Sequence, residues 1–236
     1  MRRPFAGSPR NGGLYVTTGK RQGLATPIPL GLAALATTTF LLGAALIFQP
    51  ATVWRPYILQ ALLFGGLVEL LAGMWSFPFG DPLAATAFSF LGVFFLWWGM
   101  AHVSVLGLHA ATAPMIDSLA MVFIVSGVVT LYLWIASFYE FTAFNLALLF
   151  LWISFGLIGI AMFTGVAVLT LLGGIASLIC GLIAAYGSFA AIYNATSLMD
   201  TVPLGESKMV RERAEHDEME RIRRNHPSAL HNEAAA

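Results

Sequence analysis

One acidic side chain, Glu69, lies inside a long apolar segment, where it has the chemistry to bind or carry a proton. The apolar segment runs from 57 to 76, and Glu69 is near its middle. An ionised acid at the centre of a bilayer costs about 2.5–3.5 kcal/mol on insertion scales. We therefore expect Glu69 to face a cavity, to accept hydrogen bonds from a neighbouring helix or to hold its proton. Two interpretations stay open: a neutral acid that joins two helices, or an acid that lines a pore or carries protons.

Small residues surround Glu69 on the same predicted helix. They lie three, four and seven positions away, which places them on the same helix face and lets another helix approach closely. The set is Gly65, Gly66, Ala72, Gly73 and Ser76.

Three consecutive threonines interrupt the first apolar segment. Each hydroxyl can bond the carbonyl oxygen four residues earlier, which needs no function. However, Leu35, Thr38, Thr39 and Leu42 share one helix face, and that face could line a weakly polar passage. Both interpretations of the threonines stay open.

Other chemistry-bearing groups are sparse in this sequence. His102 and His109 could indicate metal or ammonium handling, but no Cys or Asp stands at ligand spacing, so we expect no metal site. Nucleophile-elbow, phosphate-loop and zinc-protease motifs are missing from the sequence. The sequence therefore predicts neither an enzyme nor a bound cofactor. The acids at segment ends, Asp81, Asp117 and Glu140, are expected to be hydrated.

The charge distribution defines the surroundings of these residues. Only 10% of the chain is charged, 58% is hydrophobic, and no Lys or Arg occurs between Arg55 and Lys208. A water-exposed surface cannot be built that way, so the lipid bilayer is the expected environment. The formal net charge is zero, which gives no indication of a nucleic acid partner.

Six apolar segments are long enough to cross a bilayer, with proline, glycine and polar residues between them. Both tails are rich in Lys and Arg, which favours the cytoplasmic side for both and requires an even number of crossings. The sequence thus predicts an all-α integral membrane protein with six transmembrane helices and both termini cytoplasmic. Asp117 is the expected N-cap of the fourth helix. The expected spans are 29–48, 57–76, 84–107, 116–138, 143–163 and 166 to the 190s, within a transmembrane domain 26–200 between tails 1–25 and 201–236.

Several dispersed motifs resemble those of one known family. Thr26 to Leu32 reads TPIPLGL, where the family signature is Asn-Pro-Ala-Pro-Leu-Gly-Leu. The further matches, in chain order, are Ala72-Gly73, GDPLAATAFSFLG at 80–92, LICG at 178–181, Tyr186, Asn194 and VPLGES at 202–207. On these residues the chain resembles the acetate uptake transporter family, which includes the succinate–acetate permeases.

The resemblance implies a homohexamer in the cell membrane, with a separate pathway in every protomer for acetate and related short carboxylates, including succinate. It also implies a narrow point made by three residues. The family's Phe, Tyr and Leu positions correspond to Leu35, Leu91 and Leu151, so this chain departs from the pattern at two of the three. The signature Asn is replaced by Thr26, and Glu69 stands where related members often have Gln.

The Pro-x-Pro segment suggests how such a pathway begins. Pro27 and Pro29 preset an irregular start, Gly31 permits close approach, and N–H groups from Leu30 to Leu32 would offer donors to an anion. The threonines would continue the polar track toward Leu35. The substrate-binding candidates are Thr26, Pro27, Pro29, Leu30, Gly31, Thr38, Thr39, Glu69, Tyr186 and Asn194.

Transport of short-chain carboxylates is thus the first hypothesis, either by proton-coupled symport or by passive passage through a hydrophobic gate. A membrane sensor with a vestigial pore is a second hypothesis, and the leucine-only constriction motivates it. Ammonium permeation is a third, and it rests on His102 and His109 alone.

Overall fold

The computed structural model describes residues 25–48, 55–106, 113–197 and 202–205, and over these ranges the regular elements are all helical. Six helices are long and apolar enough to cross a membrane, which confirms the predicted six-helix membrane fold. Most of the two predicted tails and His109 lie outside the described residues, as does the side chain of His102. The helices are α1 Ile28–Phe48, α2 Arg55–Phe79, α3 Pro82–Leu106, α4 Ala113–Ala136, α5 Thr142–Thr164 and α6 Ala167–Ser197.

Most helix ends lie within two residues of the predicted ones, and two, the end of α2 and the start of α4, differ by three. The expected N-cap at Asp117 is wrong, because α4 begins at Ala113 and Asp117 lies within the helix. Helix α2 continues through Pro78, which lies in its last turn, where a missing N–H costs only one helical bond. The chain reverses at Gly80, whose φ of 72° is readily adopted only by glycine.

The helices form a closed bundle in which neighbours follow the order α3, α2, α1, α6, α5, α4. Small residues set the closest contacts, and the pattern around Glu69 is part of this, since a Cβ at Gly66 of α2 would lie 2.7 Å from the backbone nitrogen of Leu96 in α3. A Cβ at Gly92 of α3 would lie 2.4 Å from the backbone nitrogen of Leu70 in α2. In the same way, a Cβ at Gly43 of α1 would lie 2.5 Å from the Gly174 carbonyl oxygen in α6. Backbone therefore packs on backbone at these contacts, which van der Waals attraction favours in lipid.

Aromatic rings fill the bundle between α3, α4 and α5. The ring of Phe94 packs on that of Phe155 with centroids 4.5 Å apart and on that of Phe123 at 5.2 Å. The Phe123 ring is also 4.7 Å from Trp98. These tilted and edge-on contacts make a rigid wall for the centre of the bundle.

Candidate functional site

A small cavity lies at the end of the bundle where α1, α3 and α5 begin. Its volume is about 10 Å³, which is room for one water molecule and for no larger solute. This cavity is thus too small to hold a carboxylate in the conformation described. The cavity lining is Ile28, Asp81, Ala84, Phe88, Glu140, Phe141 and Phe144.

The three leucines of the predicted constriction share one depth relative to this cavity. Each of them follows a cavity-lining residue of its own helix by seven positions. Seven residues are two helical turns, or about 10.5 Å, and return to the same helix face. All three leucine side chains are fully buried in one core cluster. The pairs are Ile28 with Leu35, Ala84 with Leu91, and Phe144 with Leu151.

Glu69 lies in the interior of the bundle without a hydrogen-bond partner. Its side chain is 0% exposed, and neither carboxyl oxygen is bonded within the part of the chain that the structure describes. Thr38 is its polar neighbour, but the Thr38 hydroxyl bonds the carbonyl oxygens of Ala34 and Leu35, both at 3.1 Å. The contacts among the described residues leave both interpretations of Glu69 open, so its place in a pathway stays a prediction.

The threonine face continues this polar layer from α1 into α6. Thr39 donates a 2.6 Å hydrogen bond to the carbonyl oxygen of Leu35, the local bond that the sequence allowed. The carbonyl oxygen of Thr39 in turn accepts a 2.8 Å bond from the hydroxyl of Ser177 on α6. Thr37 is exposed and bonds its own helix. Polar atoms of α1, α2 and α6 thus occupy the layer next to Leu35.

The sequence suggested that N–H groups at the start of α1 bind an anion, but in the structure this segment is bonded within the protein. The N–H of Gly31 donates to the carbonyl oxygen of Pro27 at 3.0 Å, so one of the expected donors is in use. The missing side chain of Gly31 admits the ring of Phe88, because a Cβ there would lie 2.5 Å from that ring. The side chain of Leu30 is 52% exposed and faces away from the bundle. Gly31 therefore serves close packing in this conformation.

Thr26 and Pro29 both have bonded positions in the structure. The hydroxyl oxygen of Thr26 accepts a long 3.5 Å bond from the N–H of Ile28, as a weak N-cap does. The carbonyl oxygen of Pro29 accepts a 2.7 Å bond from the hydroxyl of Ser188 on α6. The sequence analysis did not identify Ser188, since a serine in an apolar helix has no distinctive spacing.

Tyr186 and Asn194 hold a short segment, Val202–Gly205, which we name the closing segment. The amide of Asn194 bonds Val202 twice, to its carbonyl oxygen at 2.8 Å and from its N–H at 2.9 Å. The hydroxyl of Tyr186 donates to the carbonyl oxygen of Pro203 at 2.7 Å. Both side chains are thus engaged with backbone, and their proposed contact with substrate stays a prediction.

The closing segment also caps the N-terminus of α5. The N–H of Thr142 donates to the carbonyl oxygen of Gly205 at 2.7 Å, and that of Ala143 to Leu204 at 3.3 Å. These N–H groups have no partner inside their own helix, so the closing segment satisfies them. It links α6 to α5, the helix that carries Leu151.

Asp81 and Glu140 face the same cavity from two different turns, a pairing that the sequence analysis missed. One oxygen of Asp81 accepts a 2.9 Å bond from the N–H of Ala84, and its other oxygen is buried without a partner. One oxygen of Glu140 is also buried and unpartnered within the described ranges. The expected hydration therefore fits the exposed Asp117 but not these two acids.

Enclosure changes the acidity of both groups. Burial raises the pKa of Glu140 to about 7, and the nearby charge of Asp81 adds to that rise. Burial also raises the pKa of Asp81, against the opposing effect of the N–H groups of Ala84 and Leu83. The order of the spans could have identified the pair, because every second connection lies on the same side of the membrane, and the α2–α3 and α4–α5 turns are two such connections.

Comparison with known proteins gives a consistent family. The family model described as the GPR1/FUN34/yaaH family matches residues 5–206. The chain is 43% identical over 95 residues to "Acetate permease A" of Emericella nidulans, a match that covers 39% of this chain and 31% of that protein. It is 31% identical over 176 residues to "Ammonia transport outward protein 2" of Saccharomyces cerevisiae, covering 71% of this chain and 61% of that protein. The chain therefore spans about a third and three fifths of these two relatives.

A bacterial relative is matched over almost its whole length. The "Succinate-acetate/proton symporter SatP" of Escherichia coli is 29% identical over 189 residues, which cover 78% of this chain and 97% of that protein. A solved structure titled "Structure of the bacterial acetate channel SatP" superposes with a TM-score of 0.71 and 28% identity. It covers 77% of this chain and 99% of the solved one. The six-helix bundle is thus the complete fold of that channel.

Proposed function

This chain belongs to the GPR1/FUN34/yaaH family, and from that premise we propose that it moves acetate and related short-chain carboxylates across the cell membrane. It is a multi-pass membrane protein with six helices of spanning length. The proposed pathway runs inside each protomer, from the cavity at the start of α1, past the three leucines, to the polar layer around Glu69. The chain does no chemistry on the solute, and we propose no catalytic role.

The match to the SatP channel, over 99% of that chain, is the observation that carries the proposal. The common depth of Leu35, Leu91 and Leu151 adds support, since a constriction needs side chains from several helices in one plane. The side chains of these three leucines have no polar atom, so a passing carboxylate would lose its hydrogen bonds to water at that plane. A neutral carboxylic acid would lose less, because it carries no net charge into the dry ring.

The polar layer next to the leucines would receive the solute after the ring. The two carboxyl oxygens of Glu69 lie there without a hydrogen-bond partner among the described residues, and Thr38 is adjacent. An acid in this position can exchange a proton with a solute that needs one to cross the leucines. We therefore favour proton-coupled symport over passive passage through a hydrophobic gate, and the name of the Escherichia coli relative, a proton symporter, is in keeping with it.

Assembly is part of the same proposal. A homohexamer with one pathway per protomer would cover the outer apolar faces of the bundle, on which large side chains such as Phe64, Trp75 and Leu182 are more than half exposed. The same faces would otherwise contact lipid. Light scattering of the purified protein in detergent gives the number of subunits directly.

The decisive experiment is uptake of labelled acetate into liposomes that contain the purified protein, with and without a pH gradient. We expect more acetate uptake than into empty liposomes, and faster uptake with an inward proton gradient. A competition series from formate to succinate then shows the largest acid that the pathway accepts. No acetate flux under either condition overturns the proposal. Ammonium flux measured in the same liposomes tests the third hypothesis, ammonium permeation, which the name of the yeast relative suggests.

A sensor with a vestigial pore makes a different prediction for the charged tail. Removal of residues 208–236 leaves a transporter with its flux, since the described helices and the closing segment remain. A signalling protein would instead lose its output and show no flux with or without the tail.

A further inference from the structure

We propose that Asp81 and Glu140 form a proton-operated latch: with a proton shared between them the two turns stay together and the cavity is closed, and without it the turns separate and open the bundle. The latch itself is independent of the solute, and only its consequence for flux rests on the proposed function.

The positions of the two acids make them suitable for this role. Asp81 stands between α2 and α3, and Glu140 stands between the 3-10 turn Ser137–Tyr139 and α5. The two turns meet at one cavity with room for a single water molecule. The helices that follow carry Leu91 and Leu151, so a separation of the turns acts directly on two members of the leucine set.

The chemistry of the pair depends on one proton. Each acid has a buried oxygen with no partner among the described residues. A single O–H between the two carboxyl groups, direct or through one water, gives both unpartnered oxygens a hydrogen bond of the strong charge-assisted kind. If that proton is lost, two negative charges face each other in a poorly hydrated space and repel.

The surroundings offer little to offset this repulsion. Apolar side chains line the cavity from α1 (Ile28), from α3 (Ala84, Phe88), and from α5 and the residue before it (Phe144, Phe141). The described titratable groups in the cavity lining are the two acids themselves. The N–H groups of Ala84 and Leu83 help Asp81 to carry charge, and so leave Glu140 as the group that holds the proton.

The direction of the pH effect follows from the pKa of Glu140. In the closed arrangement this pKa is about 7, and in water its ordinary value is 4.5, so the closed form binds the proton more tightly. The ratio of closed to open molecules is therefore highest below pH 4.5. It falls by up to about tenfold per pH unit between pH 4.5 and pH 7, and it is lowest above pH 7. Across that window the ratio of closed to open molecules falls by at most about 300-fold.

Infrared spectroscopy of the purified protein in lipid tests the shared proton without any transport. The carbonyl stretch of protonated carboxyl groups should contain a component that disappears near pH 7 in the wild type. That component should be absent from Glu140→Gln and should disappear at lower pH in Asp81→Asn. Asp117→Asn is the matched control, because Asp117 is exposed at the other end of α4, and it should keep the wild-type titration. A component that titrates near pH 7 and persists in Glu140→Gln, or is missing from the wild type, overturns the proposal.

Thiol labelling tests the opening itself. Ala84, 3% exposed in the cavity wall, is replaced by cysteine, and its rate of reaction with a water-soluble maleimide is divided by that of Asp117→Cys at each pH. We expect the normalised rate to rise at least tenfold from pH 5.5 to pH 8, and to stay low at both values when Glu140→Gln is added, since the amide supplies a permanent donor. The latch is overturned if the normalised labelling rate does not change with pH, or if it rises with pH as much in the Glu140→Gln variant as without that substitution. Acetate uptake is measured separately, so a latch that responds in a protein without flux would refute the proposed function alone.

Discussion

The hydroxyl of Ser188 donates a 2.7 Å hydrogen bond to the carbonyl oxygen of Pro29, and this bond ties α6 to the first turn of α1. Pro29 provides no N–H and belongs to the Pro-x-Pro segment that opens the bundle. The first turn of α1 is therefore also held from outside its own helix.

Replacing Ser188 with alanine should lower the free energy of unfolding by about 1 kcal/mol, because a largely buried carbonyl oxygen loses its partner. Thermal unfolding in detergent micelles measures the change. Thr196→Ala is the control, since that hydroxyl is exposed and bonds only carbonyl oxygens of its own helix. Equal melting temperatures for Ser188→Ala and the wild type would show that the bond is dispensable.

The contact between α2 and α3 requires a glycine at position 92. Gly92→Ala should destabilise the protein by about 1–3 kcal/mol, because the new Cβ would lie 2.4 Å from the backbone nitrogen of Leu70. Gly156→Ala is the matched control in α5, where nothing lies within 4 Å of the added atom. That control should be neutral or slightly stabilising, since alanine favours helix by about 1 kcal/mol over glycine. A Gly92→Ala protein that unfolds at the wild-type temperature would contradict the close packing.

The leucine set makes a prediction about solute size. Leu151→Ala should shift the competition series toward larger acids, because it removes a buried side chain from the proposed constriction, and it should cost about 2–5 kcal/mol of stability. Leu62→Ala controls for stability, since Leu62 is 1% exposed in the same core cluster but lies on α2, outside the ring. Were both variants to keep the wild-type order of preferred acids, the constriction would lie elsewhere.

Glu69 separates the structural from the functional interpretation. Glu69→Leu should not destabilise the protein, because the carboxyl has no hydrogen bond to lose among the described residues, and an apolar side chain suits the site. Thermal unfolding checks this.

The companion variant Glu69→Gln should keep the fold and abolish acidification coupled to acetate uptake, since an amide cannot carry the proton. The measurement uses a pH-sensitive dye inside the liposomes. Acidification at the wild-type rate would remove the proton role from Glu69.

The closing segment should detach when its anchor on α6 is removed. Asn194→Ala deletes both bonds to Val202 and should speed proteolytic cleavage near residues 202–205 several-fold. Tyr193→Phe is the matched control, because Tyr193 is exposed and lies beside the anchor. Unchanged cleavage in Asn194→Ala would mean that Tyr186 and the α5 contacts hold the segment alone.

The sequence by itself determined the membrane class, the six spans and the unusual character of Glu69. Lipid imposes these features locally: a spanning helix needs a long apolar run, and a charge inside it is costly, so both can be counted along the chain. Motif order added the family, which the comparisons confirm. Helix ends follow less directly from the chain: α4 begins four residues before the expected cap at Asp117, because Pro114 is tolerated in the first turn of a helix.

Only the tertiary structure decided which residues meet. No spacing along the chain brings Asp81 to Glu140, Ser188 to Pro29, or Asn194 to Val202, because these contacts depend on how separate helices and turns are placed. The common depth of Leu35, Leu91 and Leu151 likewise needs the three helices to start at one level, which the shared cavity shows. Periodicity along the chain fixes which face of each helix is buried. The relative height of the helices and the choice of neighbours come from packing. Packing also encloses the two acids at the turns and so raises their pKa values.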